Sequence, residues 1–197
     1  MSNVQEFIKY VKSECRAHGI KFRLKPTRTV STPAEKIKCV GYCEPDDLKE
    51  LFVARKDPNW LMTLVHEYAH LTQWIDQCKE WKDTYKIDNV DEWLNGKEVP
   101  NIEKALAKTR DMELDNEKRS VKLIKKWNLP IDTKIYTRKA NAYVQFYNYL
   151  YITRRWCHPD NSPARNPKVW KKMPASFRMN YEVLEEKYFK IFEEAGI

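Results

Sequence analysis

Glycine is scarce in this chain, with four in 197 residues. No GxxxxGK[ST] or GxGxxG run occurs, which argues against a phosphate-cradling loop and a dinucleotide fold. Long apolar runs are missing too, and no stretch approaches the length needed to span a bilayer. The opening residues, MSNVQEFIKYVKSECR, mix charged with apolar positions and lack the apolar core of a signal peptide. A cytoplasmic protein with no membrane partner is therefore expected. Cysteine is present but unpatterned. Five residues (Cys15, Cys39, Cys43, Cys78, Cys157) form an odd set at irregular spacing, which reads as free thiols in a reducing compartment. Cys39 and Cys43 with Cys157 and His158 offer a structural zinc site only at loose spacing, so buried thiols are the favoured reading. The chain has no internal repeat and no low-complexity tract.

Charged residues make up 32% and hydrophobic residues 42%, the balance of a globular chain rather than a disordered one. The length fits one compact domain, or a small domain with an appendage, and a monomer is expected. Net charge is +8. The lysines and arginines are spread throughout, with one small cluster at Lys168, Lys171 and Lys172. A solvated basic surface is the simplest reading, and nucleic acid stays open as a partner.

Periodicity predicts an α+β, mostly helical fold. A first helix over residues 3–18 carries Val4, Phe7, Ile8 and Val11 at helical spacing, with Ser2 or Asn3 as its cap and Gly19 as its stop. Strands are expected at 20–25 and 36–43, with a polar turn from Pro26 to Pro33, and residues 48–54 read as a third strand in competition with a short helix. A long helix from Pro58 to Lys79 follows, capped by Asp57. A mixed segment spans 80–100. Helices are then expected from Asn101 to Trp127, from Thr137 to Trp156 and, after a proline-rich loop, from Pro174 or Ser176 to Glu194. The N-terminal part (1–130) would be a small mixed sheet packed on the 58–79 helix, and 131–197 a helical extension packing on it.

The 58–79 helix contains His66-Glu67-Tyr68-Ala69-His70. Residues four apart on a helix differ by only about 40° around the axis, so both imidazoles can reach one metal ion. Glu67 lies about a quarter turn away, poorly placed to ligate but suited to take a proton from a metal-activated water. Leu61, Leu64, Tyr68, Leu71 and Ile75 form one stripe of this helix. Met62, His66, His70, Gln73 and Gln77 line a separate, more polar side.

A catalytic zinc needs a third protein ligand. Asp76 occupies the tenth position after His66, but the chain would have to break near Gln73, where the helical stripe continues. His158 is isolated in the proline-rich loop. The next helix offers carboxylates. Ile102, Leu106, Thr109, Asn116, Ser120, Ile124 and Trp127 share one face, and Glu113 falls in its middle. A carboxylate on a buried face is costly unless paired or metal-bound. Glu117 lies one turn on, whereas Asp111, Asp115 and Glu103 point elsewhere. Geometry puts Glu113 first and Glu117 second.

With HEYAH followed by Glu113-Leu114-Asp115-Asn116-Glu117, residues 1–127 resemble the gluzincin metallopeptidases in a minimal form. In that clan a second helix after HExxH carries a zinc-binding Glu, commonly in ExxxD. The resemblance implies one zinc per chain held by His66, His70 and Glu113, with Glu117, in place of Asp, supporting a zinc histidine. It also implies an edge strand that pairs with extended substrate. Residues 48–54, with Glu50, Phe52 and Ala54 on one side, take that place.

The expected activity is a zinc metalloendopeptidase acting on a protein or peptide, with Glu67 as the catalytic base. A gluzincin often stabilises the oxyanion through a His or Tyr from its C-terminal part. His158, Tyr143, Tyr147 and Tyr151 are candidates here, although Tyr143, Phe146, Tyr147, Leu150 and Tyr151 are also spaced like a buried stripe. Two other readings stand beside this one: a catalytically silent zincin-like protein-binding module, and a DNA-associated protease.

Overall fold

The structure is a computed structural model that describes residues 2–32, 38–84, 90–158 and 161–197, without the side chains of Thr84 and Asp91. Residues 36–37 of the expected second strand and Tyr85 of the mixed segment lie outside these. The fold is α+β and mostly helical. The elements are α1 (Asn3–Ala17), β1 (Lys21–Lys25), β2 (Val30–Ser31), β3 (Lys38–Cys39), β4 (Gly41–Glu44), β5 (Glu50–Ala54), α2 (Trp60–Asp76), α3 (Lys79–Thr84), α4 (Val90–Leu94), α5 (Ile102–Lys126), α6 (Thr133–Thr153), α7 (Pro167–Trp170) and α8 (Glu186–Glu194). No helix among the described residues is long and apolar enough to cross a membrane.

The chain crosses between two compact units at 131/132, beside the expected break at residue 130, and also at 77/78 and 118/119. One compact unit holds Met1–Gln77 with Arg119–Ile131, and the other holds Cys78–Lys118 with Asp132–Ile197. The 118/119 crossing falls inside α5.

In the first unit, Ser2 accepts from the Gln5 backbone N–H and the Gln5 side chain returns the bond, a capping box that starts α1. Gly19, at φ 71°, ends it in a left-handed conformation that glycine adopts without strain. The helix buries Phe7, Val11 and Cys15 completely. Phe7 meets Tyr68 edge-on at 5.9 Å and Trp127 at 5.8 Å. Each fully buried aliphatic side chain here, such as Leu51, Val53, Leu64 and Leu71, contributes on the order of 1.5–3 kcal/mol.

The sheet is mixed, in the order β1-β5-β4, with β5 parallel to β1 and antiparallel to β4. This corrects the expected edge: Glu50, Phe52 and Ala54 belong to the central strand, paired on both sides. The physical reason lies in the burial of Leu51, Phe52, Val53 and Ala54 without alternation, the mark of a strand covered on both faces. Among the described residues, the edges of this sheet are β1 and β4. The turn expected from Pro26 to Pro33 contains β2, which pairs antiparallel with β3. Helix α2 is shorter than expected. Asp57 Oδ1 accepts from the Asn59 N–H at 2.8 Å, so the turn is capped before the helix begins and Pro58 lies outside it. Gln77, at φ 49°, ends α2.

In the second unit, α6 begins earlier than expected because Asp132 caps it, accepting from the N–H groups of Lys134 and Ile135. Its core face, with Ala142, Phe146, Tyr149 and Leu150, packs in one cluster with Val169, Met173, Tyr188 and Phe192. Tyr151, expected in this stripe, is 40% exposed. The long terminal helix expected from residue 174 is only α8. Before it, side-chain amides of α6 take the carbonyls that a helix would have used. Asn141 donates to the oxygens of Pro174 and Ser176, Gln145 to that of Asn180, and Asn148 to that of Tyr181. Such bonds satisfy the irregular backbone, since a buried carbonyl must be paired somewhere.

Candidate metal centre

Helix α2 carries His66, Glu67 and His70 in its middle, where the backbone is regular. The two imidazole centroids are 4.7 Å apart with planes at 89°, the proximity that i,i+4 spacing dictates. His70 is 8% and Glu67 9% exposed. Gln73 is fully buried, and its Oε1 lies 2.9 Å from Nδ1 of His70. With the proton on Nδ1 the ring donates to Gln73, which fixes its orientation and leaves Nε2 for a metal. On the polar side of α2, His70 and Gln73 are buried, Met62 and His66 half-buried and Gln77 exposed, and the contact of Gln73 with His70 is one that its place in the motif did not signal.

Beside Glu67 runs β4. A Cβ on Gly41 would stand 2.6 Å from Thr63 Cγ2, 3.1 Å from the Phe52 carbonyl oxygen and 3.2 Å from Glu67 Cγ. Only glycine lets the strand approach α2 this closely. A glycine within a strand pattern is the sequence signal for such an approach. Burial pushes the Cys43 thiol well above its usual range and Cys39 up to about 11, and the Glu67 carboxylate adds to both. All five cysteines are free.

Glu113 and Glu117, 6% and 5% exposed, lie on the buried face of α5 with Asn116 and Ser120, while Asp111 and Glu103 are exposed. The face predicted from periodicity is the face observed. Tyr143 of α6 places its hydroxyl 3.5 Å from Glu113 Oε1 and 3.0 Å from the hydroxyl of Tyr147. Burial first, and then the Glu113 charge, hold both phenols far above their usual range, so they stay protonated donors. Tyr147 is thus tied to Tyr143.

His66 and His70 offer two imidazole nitrogens from neighbouring turns of α2, and Glu113 offers a buried carboxylate at the middle of α5. A nitrogen pair with one carboxylate oxygen fits a zinc donor set. The other ligand candidates, Asp76 and His158, are exposed. Asp76 is exposed and pairs with Arg119, Nη1 to Oδ2, at 2.5 Å. His158 is exposed on the loop after α6.

No protein-family model, no curated protein and no solved structure matches this chain at a significant level.

Proposed function

We propose that this protein is a zinc metallopeptidase in which His66, His70 and Glu113 hold the metal and Glu67 is the catalytic base. The observation that carries the reading is the pair of HEYAH imidazoles, 4.7 Å apart on α2 beside the buried Glu67 carboxylate. The third ligand is the carboxylate at the centre of the α5 stripe, where Glu113 is buried. Bound there, zinc supplies a Lewis acid that lowers the pKa of water and polarises a carbonyl. Glu67 takes a proton from the attacking water and returns it to the leaving nitrogen. Gln73 fixes the tautomer of His70, and the Tyr143 hydroxyl steadies Glu113. Glu117, one turn along α5, is the further carboxylate on the same face.

The substrate is a protein or peptide in extended form. With β5 central, the open edge beside Glu67 is that of β4, where a peptide adds as a further strand. Gly41 brings that edge against the base. The five free thiols support a cytoplasmic setting, and the chain acts as a monomer.

The test compares the zinc-loaded wild type with Glu67→Gln on a mixed peptide library, read by mass spectrometry. Cleavage by the wild type, lost in a variant that retains its metal, is the expected result. Equal cleavage by both would remove Glu67 from the chemistry. A zinc-loaded wild type that cleaves nothing would leave the silent binding module as the better reading.

A further inference from the structure

The net charge of +8 is not featureless on the first unit. On α1 the residues opposite Phe7, Val11 and Cys15 are Lys9, Lys12 and Arg16, all exposed. Spacings of three and four residues place them in one row. Strand β1 begins beside this row. Its burial alternates, and the exposed positions are Lys21, Arg23 and Lys25. The helix and the strand meet in a shallow depression lined by Lys12, Arg16, Gly19, Ile20, Lys21 and Phe22. Three cations thus share the depression, and Arg23 and Lys25 extend the charge along β1 on the sheet face that carries Phe52.

Few of these charges are used by the fold. Lys21 pairs with Glu50 at 2.9 Å, and Lys25 lies 4.9 Å from the centroid of the Phe52 ring. Lys9, Lys12, Arg16 and Arg23 form no ion pair among the described residues. Like charges held in a row repel one another. Such a row is stabilised by an anion with several charges in line.

We propose that this row is a docking surface for the phosphate backbone of a nucleic acid. Outward residues on a strand repeat about every 6.6 Å, a regular ladder suited to an anion that is itself a regular polymer. A membrane surface fits less well. An interfacial helix inserts an apolar face, and the apolar face of α1 is turned into the core, with Phe7, Val11 and Cys15 fully buried. The row is made of Lys and Arg alone, without the Asn or Gln that reads adenine edges. The contact it supports is with phosphates and is independent of sequence. This inference does not rest on the metal site, and either can fail alone.

The experiment measures binding of the full chain to a labelled duplex and a labelled single strand by fluorescence anisotropy, from 50 to 200 mM NaCl. The comparison is with the triple variant Lys12→Ala/Arg16→Ala/Arg23→Ala. A second variant, Lys168→Ala/Lys172→Ala, changes charge on the other unit. All substituted residues are exposed, and circular dichroism checks that each variant is folded. The wild type should bind, with affinity falling steeply as salt rises. The triple variant should lose at least about tenfold at low salt, with a log–log salt slope shallower by about 2 to 3. The Lys168/Lys172 variant should retain most of the affinity. No binding to either nucleic acid at 50 mM NaCl would overturn the proposal. So would an equal loss in both variants, which would mean general charge alone, and so would binding only to anionic phosphatidylserine vesicles.

Discussion

Nδ1 of His70 lies 2.9 Å from Oε1 of Gln73, one helical turn further along α2 and fully buried. A histidine that binds metal through one nitrogen is oriented by what its other nitrogen donates to. Replacing Gln73 by Leu keeps the approximate volume and removes the acceptor. Zinc affinity, measured by competition with a chromogenic chelator, is expected to fall about 10- to 100-fold. Unchanged affinity would mean that the His70 ring needs no such partner.

The Tyr143 hydroxyl donates to Oε1 of Glu113, the proposed third ligand, from 3.5 Å. Tyr143→Phe removes one neutral donor. Its expected cost in zinc affinity is about threefold to tenfold. Tyr147→Phe, one hydroxyl further from Glu113, should cost less. A larger effect at Tyr147 would reverse the order of these two residues.

At Gly41 the constraint is steric. A Cβ there would lie 2.6 Å from Thr63 Cγ2, so Gly41→Ala is expected to destabilise the protein by about 1–3 kcal/mol in urea unfolding. Thr63→Ser removes the methyl group in question. The double variant should recover part of the loss, and a double-mutant cycle measures how much. Strict additivity would place the strain elsewhere, at the Phe52 carbonyl or at Glu67.

Buried thiols set the alkaline limit of the fold. Burial raises Cys15 from 9.0 to about 12, and Cys39 and Cys157 from 9.0 to about 11. Above pH 9 the unfolded chain loses thiol protons that the folded chain keeps. The stabilisation is therefore complete below about pH 9 and is lost as pH rises through 11 to 12. Urea midpoints are expected to hold steady from pH 7 to 8.5 and to decline beyond pH 9. Cys15→Ala should decline less steeply, and an identical slope would assign the alkaline loss to other groups.

The helical parts of the site were legible because their period is geometric. The residues between Leu106 and Ile124 fall on one face of α5 by angle alone, and Glu113 is buried while Asp111 is not. Strand order carries no such period, so residues 48–54 were readable as a strand but not as the central one. The unbroken burial of Leu51 through Ala54 was the available signal. Gln73 falls on the polar side of α2 with His66 and His70, but nothing in the HEYAH spacing marks it as the partner of His70. The irregular stretch before α8 was hidden for another reason. Its carbonyls are satisfied by Asn141, Gln145 and Asn148, about 33 to 35 positions away in sequence, and local periodicity contains nothing of that.

The most direct test of the account is the metal content of the purified, zinc-loaded chain beside Glu113→Ala. Elemental analysis should find about one zinc per wild-type chain and far less in the variant, because two imidazoles without the carboxylate make a weak site. Equal zinc in both would remove Glu113 from the centre. No zinc in the wild type would contradict the account at its root and leave HEYAH without a metal to hold.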